Sequence, residues 1–266
     1  MKKLVLYLIM LAPIWGQAQT EFKLERSLEG SFSDFTVDPL QQVLTISKQG
    51  QLKKFTANGD SLAVFNEMRR HGKLFRIDAS NPLKVLLYFK DFGTLVVLDR
   101  FLNRRDVIDF RKLGLLQVKA IGQAYDNGIW VYDEQAATIK HLDDAGKVAD
   151  QFSDFRQLFD SMPSPQLIVD QNKFLYLYDQ QLGFYVFDYY GSFKRRVPYT
   201  GWSDVVIING LLFGRKGDIL YRYDAQSFSL SEYKIDPSWK AAQKIIIAPE
   251  RIYLLFEDKI SIYKYQ

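Results

Sequence analysis

Along most of the chain, apolar and polar positions alternate in short runs broken by turns rich in Gly, Asp and Asn. A period of two marks half-buried strands, and no long stripe with helical spacing accompanies it. The strands recur in a fixed order. QLKKFTANGD (51–60) resembles TLVVLDRFLN (94–103), TIKHLDDAGK (138–147), FYVFDYYGSF (184–193) and ILYRYDAQSF (219–228), and ISIYKYQ (260–266) is the same element cut short. Each copy is an alternating strand, then a polar turn that begins another strand. Ahead of the copies lie QQVLTIS (41–47), KVLLYFK (84–90), NGIWVYD (127–133), KFLYLYD (173–179), GLLFGRK (210–216) and RIYLLFED (251–258). Ahead of those lie DFTVDP (34–39), LFRIDA (74–79), QVKAIGQ (117–123), QLIVDQ (166–171), DVVIIN (204–209) and KIIIAP (244–249).

Measured from Phe35, Phe75, Lys119, Leu167, Val205 and Ile245, the steps are 40, 44, 48, 38 and 40 residues. A repeat of this length holding several antiparallel strands predicts a propeller blade. The chain is therefore expected to be all-β, a six-bladed β-propeller. A β-sandwich or an open repeat array is the rival, but six copies in register favour the ring. The sixth copy stops without its outermost strand, and an orphan strand, EFKLERSLEG (21–30), precedes the first. Pairing residues 21–30 antiparallel to 259–265 would close the ring and hide two open edges. In a regular strand Phe22, Leu24 and Arg26 would share one side. Two segments break the pattern. In 152–165, Phe155, Leu158 and Phe159 are spaced to share one face of a short helix that Pro163 ends. The segment 61–72 is expected to hold one irregular turn.

Residues 1–20, MKKLVLYLIMLAPIWGQAQT, have the layout of an export signal: Lys2 and Lys3, an apolar run from Leu4 to Trp15, then small residues at Gly16 and Ala18. Cleavage after Ala18 is expected, leaving 19–266 as a single propeller domain. The alternative is a buried first element. The apolar run is short for a membrane span and no later stretch approaches the length, so the mature chain is expected to have none. Of 266 residues 248 remain, and because Lys2 and Lys3 leave with the signal the charge falls from +4 to +2. That balance, together with export, argues against nucleic acid despite the pairs Arg69–Arg70, Arg104–Arg105 and Arg195–Arg196. The expected destination is periplasmic or secreted, where a partner could hold the chain at the outer membrane. Cysteine is absent, which excludes disulfides, thiolate metal sites, cysteine catalysis and a lipid anchor on cysteine.

The alternating strands ending in turns such as FTANGD (55–60) and HLDDAGK (141–147) resemble the six-bladed propellers grouped as NHL-like and TolB-like. The signal terminus and aromatic-rich body resemble exported proteins of Bacteroidota. The likeness covers nearly all of 21–266 at the level of architecture. It implies a disk with a central channel, used mostly for binding and less often for hydrolysis or lyase chemistry. It carries no catalytic residue onto this chain.

Signatures of nucleotide binding, zinc proteolysis and the hydrolase elbow are missing. The two histidines, His71 and His141, fall in different blades. His141 is expected to be a sheet residue, and His71 a solvent-facing one or a contact for a phosphate-like ligand. Acids recur at strand ends, where a carboxylate accepts from turn N–H groups. No dense acidic loop is present, so no cofactor is expected, and calcium would be the metal these oxygen-rich turns could serve. Most aromatic residues, Tyr176, Tyr178, Tyr185 and Phe187 among them, are expected to pack between blades.

In a four-stranded blade, the turn between second and third strands shares a face with the segment leading into the next blade. That face would gather Arg69, Arg70, His71, Lys112, Tyr199, Trp202, Trp239 and Lys240 as the candidate partner-binding set. Exposed aromatics and cations suit a protein interface. The leading expectation is thus a non-enzymatic binding or scaffold protein for an envelope protein partner. The alternative is a carbohydrate-binding or glycan-processing propeller, with Tyr199, Trp202 and Trp239 stacking on sugar rings and channel acids in catalysis.

Overall fold

The computed structural model describes residues 22–265. The expected export signal lies outside them. Six four-stranded antiparallel sheets stand around one axis. The first holds Phe32–Val37, Val43–Ser47, Leu52–Phe55 and Ser61–Phe65, running from the axis outward. The next four follow the same order without a crossover. Ser61–Phe65 is thus the outermost strand of blade one, and the irregular turn expected in that segment begins only afterwards, as a 3-10 turn at Glu67–His71. Between Phe152 and Pro165 the expected helix is one 3-10 turn, Phe155–Gln157. Phe155 is buried there but Leu158 is exposed, so the three apolar residues do not share a buried face. One turn is too short to align positions three and four apart.

Blade six closes the ring. Its inner strands, Lys244–Ala248, Arg251–Leu255 and Lys259–Tyr265, are joined on the outside by Phe22–Glu29, which we call β1. β1 is antiparallel to Lys259–Tyr265, with Leu28 opposite Ile260 and Phe22 opposite Tyr265. The expected regular alternation is broken: the register slips between Leu24 and Arg26, leaving Glu25 as an extra residue. A bulge of one residue swaps the faces that follow it. Phe22 therefore packs against Trp239 towards blade five, at 4.8 Å between ring centres, while Leu28 joins the apolar layer shared with blade one. The displaced Glu25 carboxylate accepts from Arg251 Nε at 2.6 Å and Nη2 at 2.9 Å.

The core is distributed. Six apolar layers, one per blade junction, fill the ring, and both sheet faces contribute to them. This is why strands such as Lys84–Phe89 are buried along their whole length. Aromatic residues do much of the filling, as expected: Tyr176, Tyr178, Tyr185 and Phe187 are all buried. Tyrosines on the second strands of blades two, three and four also tie each of them to the chain entering the next blade. Tyr88 Oη donates to Val118 O at 2.7 Å, Tyr132 Oη to Pro163 O at 2.7 Å, and Tyr178 Oη to Trp202 O at 2.9 Å.

Candidate functional site

Antiparallel order divides the disk into two faces. The connector face carries the turns between second and third strands and the segments linking the blades. The turn face carries the turns between first and second and between third and fourth strands. All eight candidate residues belong to the connector face, but they do not form one patch. Arg69, Arg70, His71 and Lys112 flank blade two, whereas Tyr199, Trp202, Trp239 and Lys240 flank blade five across the ring.

The turn Glu67–His71 is pinned by Met68, which enters the layer between blades one and two. Its cations point outward. Arg69 Nε donates to Gln49 O at 3.0 Å, and Arg70 lies 3.5 Å from the Glu67 carboxylate that Arg104 also meets at 2.8 Å. His71, expected to face solvent or a phosphate-like ligand, is half-buried. Its ring sits 5.2 Å from that of Phe89, and its Nε2 is shut off from solvent without a hydrogen-bond partner. Burial, then the Arg104 charge, holds its pKa below the ordinary imidazole value. Gly72 ends the turn at φ 83°, and a Cβ there would lie 2.5 Å from the Phe92 ring. Glycine at 72 thus lets that ring lie against the backbone.

Lys112 lies on the next 3-10 turn, Phe110–Leu113. Asp109 caps it by accepting from Arg111 N at 3.0 Å, and buried Phe110 anchors it, leaving Arg111 and Lys112 on the surface. Arg111 Nη2 reaches back to Asp91 O at 2.8 Å. Between this turn and the Lys90–Gly93 turn opens a cleft of about 180 Å³. Tyr88 and Val118 line it, and Lys90, Arg111, Leu116 and Glu134 border it. Burial raises Glu134, but its hydrogen bond with Ser164 and the charge of Lys119 outweigh that and keep it below the usual carboxylate range. Beside the cleft stand Phe75, 5.8 Å from the Tyr88 ring with the Lys90 ammonium 5.0 Å over its own, and the exposed Leu116, whereas the exposed Phe92 turns towards Gly72. Sequence reading passed over Phe75 and Leu116 because each follows another leucine, Leu74 and Leu115, and reads as part of an apolar strand run.

The two tryptophans depart from expectation. Trp202 is 3% exposed and Trp239 is 4% exposed. Both indoles fold back over blade ends, because the apolar area of an indole is more stable buried than in water. Trp202 stacks on Tyr199 at 5.5 Å and on Tyr221 at 5.3 Å. Trp239 packs against Tyr263 at 5.1 Å. Neither offers the flat open ring a sugar would need. Tyr199 is half-buried, and Lys240 is exposed in an ion pair with Asp218 at 2.6 Å.

The acids at the axial strands are engaged internally. Asp34 meets Lys244 at 2.7 Å, Asp204 meets Arg215 at 2.7 Å, and Asp78 accepts from Ser80 N and Gln123 N, each at 2.9 Å. Desolvation pushes Asp204 above the usual carboxylate range. His141 is the sheet residue expected, 3.1 Å from Asp126 and packed on Trp130. Among the described residues no group of three or more His, Asp or Glu side chains is placed to hold a metal ion.

Six exposed apolar residues outside the candidate set stand on separate turns of the turn face. Leu40, Leu83, Phe101, Tyr125, Tyr190 and Phe228 are all exposed there. Four of them share a local device. The residue two positions earlier accepts their backbone N–H: Asp38 for Leu40 at 3.0 Å, Asn81 for Leu83 at 3.0 Å, Asp99 for Phe101 at 2.8 Å and Asp188 for Tyr190 at 3.0 Å. The signal was present as Asp/Asn-x-apolar at 38–40, 81–83, 99–101 and 188–190.

No family model and no curated protein matches the chain in sequence. Its similarity is to solved folds. Virginiamycin B lyase from Staphylococcus aureus superposes with a TM-score of 0.65 at 15% identity, over 92% of this chain and 99% of that one. The fold is the six-bladed β-propeller. The propeller domain of Cps50 (Swd1) from Myceliophteria thermophila is similar with a TM-score of 0.62 at 8% identity, over 92% and 99% of the two chains. The WD40 domain of Neurospora crassa Pan2 gives 0.59 at 11% identity, over 85% and 73%. One of these propellers is named as a lyase and another as a WD40 domain, so the scaffold alone does not choose between chemistry and binding. No described helix is long and apolar enough to cross a membrane.

Proposed function

We propose that this chain is an exported, non-enzymatic scaffold that seats a protein partner on the connector face between blades two and three. The observation that carries the reading is the cleft itself, with exposed Leu116 at its edge, exposed Phe75 against its Tyr88, and Lys90, Arg111 and Lys112 around it. Apolar side chains held open beside cations fit a partner segment that carries an apolar residue next to an acidic one. Two further features support a binding role. The axial acids are spent on ion pairs and backbone N–H groups, and the connector turns are anchored by Met68 and Phe110, which preorganises their outward residues. Export rests on the leader-like residues 1–18. An envelope protein is the partner this location supplies.

Affinity isolation from the envelope fraction, with the wild-type chain and a Phe75→Asp, Leu116→Asp variant, tests the proposal. A partner recovered with the wild type and lost with the variant is expected. Equal recovery with both would refute it.

A further inference from the structure

We propose that Arg76 binds a small monocarboxylate at the connector-face end of the axis. Arg76 opens the innermost strand of blade two, Arg76–Asn81, which the chain enters from the connector face. Ile77 and Ala79 turn to the layer shared with blade one, so Arg76 and Asp78 take the other side of the strand. On that side the innermost strand of blade three approaches, and its Gln123 N donates to Asp78. The charge of Asp34, on the innermost strand of blade one, also acts on the Arg76 guanidinium, which sets its head beside the axis. The site is separate from the cleft between blades two and three, which Arg76 does not line.

The charged groups around the axis leave this one uncompensated. On the innermost strands Asp34 pairs with Lys244, Asp204 with Arg215, and Lys119 with Glu134 at 3.4 Å. Asp78 holds two backbone N–H groups, and Asp170 accepts from Tyr125 N at 3.0 Å and Trp130 Nε1 at 2.8 Å. Arg76 is the exception. Among the described residues it enters no ion pair or hydrogen bond, and its Nε is shut off from solvent without a partner. Its two terminal nitrogens stay open to solvent, and the residue as a whole is half-buried. Burial, only partly offset by the charges of Asp78 and Asp34, holds its pKa below the ordinary arginine value. An unpaired charge in such a place destabilises the fold, and a ligand that supplies the missing acceptor recovers the loss.

The chemistry of that ligand follows from the open edge. Nη1 and Nη2 carry parallel N–H groups that match the two oxygens of a carboxylate. One negative charge completes the pair. A second would be opposed by Asp34 and Asp78, so a monocarboxylate fits better than a phosphate dianion. Lys244 and Lys119 are already spent on Asp34 and Glu134, and they add no free cation that would call for more charge.

Thermal melts of the chain from residue 19, which keeps every described residue, test this. Sodium acetate and sodium phosphate are each compared with sodium chloride at equal ionic strength. Acetate should raise the wild-type midpoint saturably, by roughly 3 °C once it is about tenfold above its dissociation constant. Arg76→Met should abolish that response, and its midpoint in chloride should equal or exceed that of the wild type, because an unpaired charge is gone. Arg76→Lys keeps the charge without the planar fork and should need about tenfold more acetate. Lys173→Met, which removes an exposed cation from the turn face, should respond as the wild type does. Four results would overturn the proposal: a wild type indifferent to acetate, an equal response from Arg76→Met, an Arg76→Met midpoint in chloride well below that of the wild type, or a larger response to phosphate than to acetate.

Discussion

Asp38 and Lys54 meet at 3.2 Å in blade one with each side chain 1% exposed. Asp38 also accepts from Leu40 N and Gln42 N, and the Lys54 ammonium reaches Arg100 O of blade two at 3.4 Å. The pair thus links a turn-face tip to the neighbouring blade. Removing one member strands a buried charge, so Lys54→Met should cost about 3 kcal/mol. Lys54→Met combined with Asp38→Asn should cost less than Lys54→Met alone. Urea unfolding of the two variants measures the difference.

Tyr178 Oη both donates to Trp202 O at 2.9 Å and lies 2.6 Å from Trp202 N, where it can accept. Tyr178→Phe leaves that buried N–H without a partner and should destabilise by roughly 1–3 kcal/mol. Burial also pushes the Tyr178 phenol up to about 12. The unfolded chain loses this proton first, near its ordinary value of about 10. Stability is then full below about pH 10 and falls as pH rises towards the folded value. Tyr178→Phe should therefore soften the decline in melting midpoint above about pH 10.

His71 titrates in the opposite sense. Its folded pKa is depressed by burial and by Arg104, so the unfolded chain takes up the proton first as pH falls. The contribution is present above about 6.5 and is lost on descent through the folded value. An NMR titration should place the His71 midpoint below that of free imidazole. A midpoint above 6.5 would contradict the buried placement of its Nε2.

β1 completes blade six at the cost of a bulge at Glu25. Deleting residues 22–29 bares the outer edge of Lys259–Tyr265 and removes Leu28 from the layer shared with blade one. Loss of that leucine alone is worth about 2–5 kcal/mol, so the melting midpoint should fall by roughly 5 °C or more. Glu25→Gln should have a far smaller effect, because its pair with Arg251 is partly solvent-exposed.

Blade number, strand order and ring closure were legible because they follow from periodicity, and a repeat supplies that evidence six times over. The bulge was not legible, since FKLERSLE alternates acceptably in either register until Ile260 and Ile262 are placed opposite it. Trp202 and Trp239 looked like surface residues because both stand in polar connectors. Their burial depends on Tyr221 and Tyr263, which arrive from strands 19 and 24 residues later. The cations were located correctly, since Arg69, Arg70, Lys112 and Lys240 all remain exposed on the connector face. Four of the six exposed apolar residues on the turn face were written in the chain as Asp/Asn-x-apolar triplets, where the first residue was read as turn chemistry and the third was passed over.

Site-specific photocrosslinking in the producing cells tests the scaffold account most directly. A photoreactive residue at position 116, beside the cleft, should yield a discrete adduct with one envelope protein. The same residue at position 233, exposed on the outer strand of blade five, should yield none. Uncrosslinked monomer alone at position 116, or the same adduct from both positions, would contradict a partner seated between blades two and three.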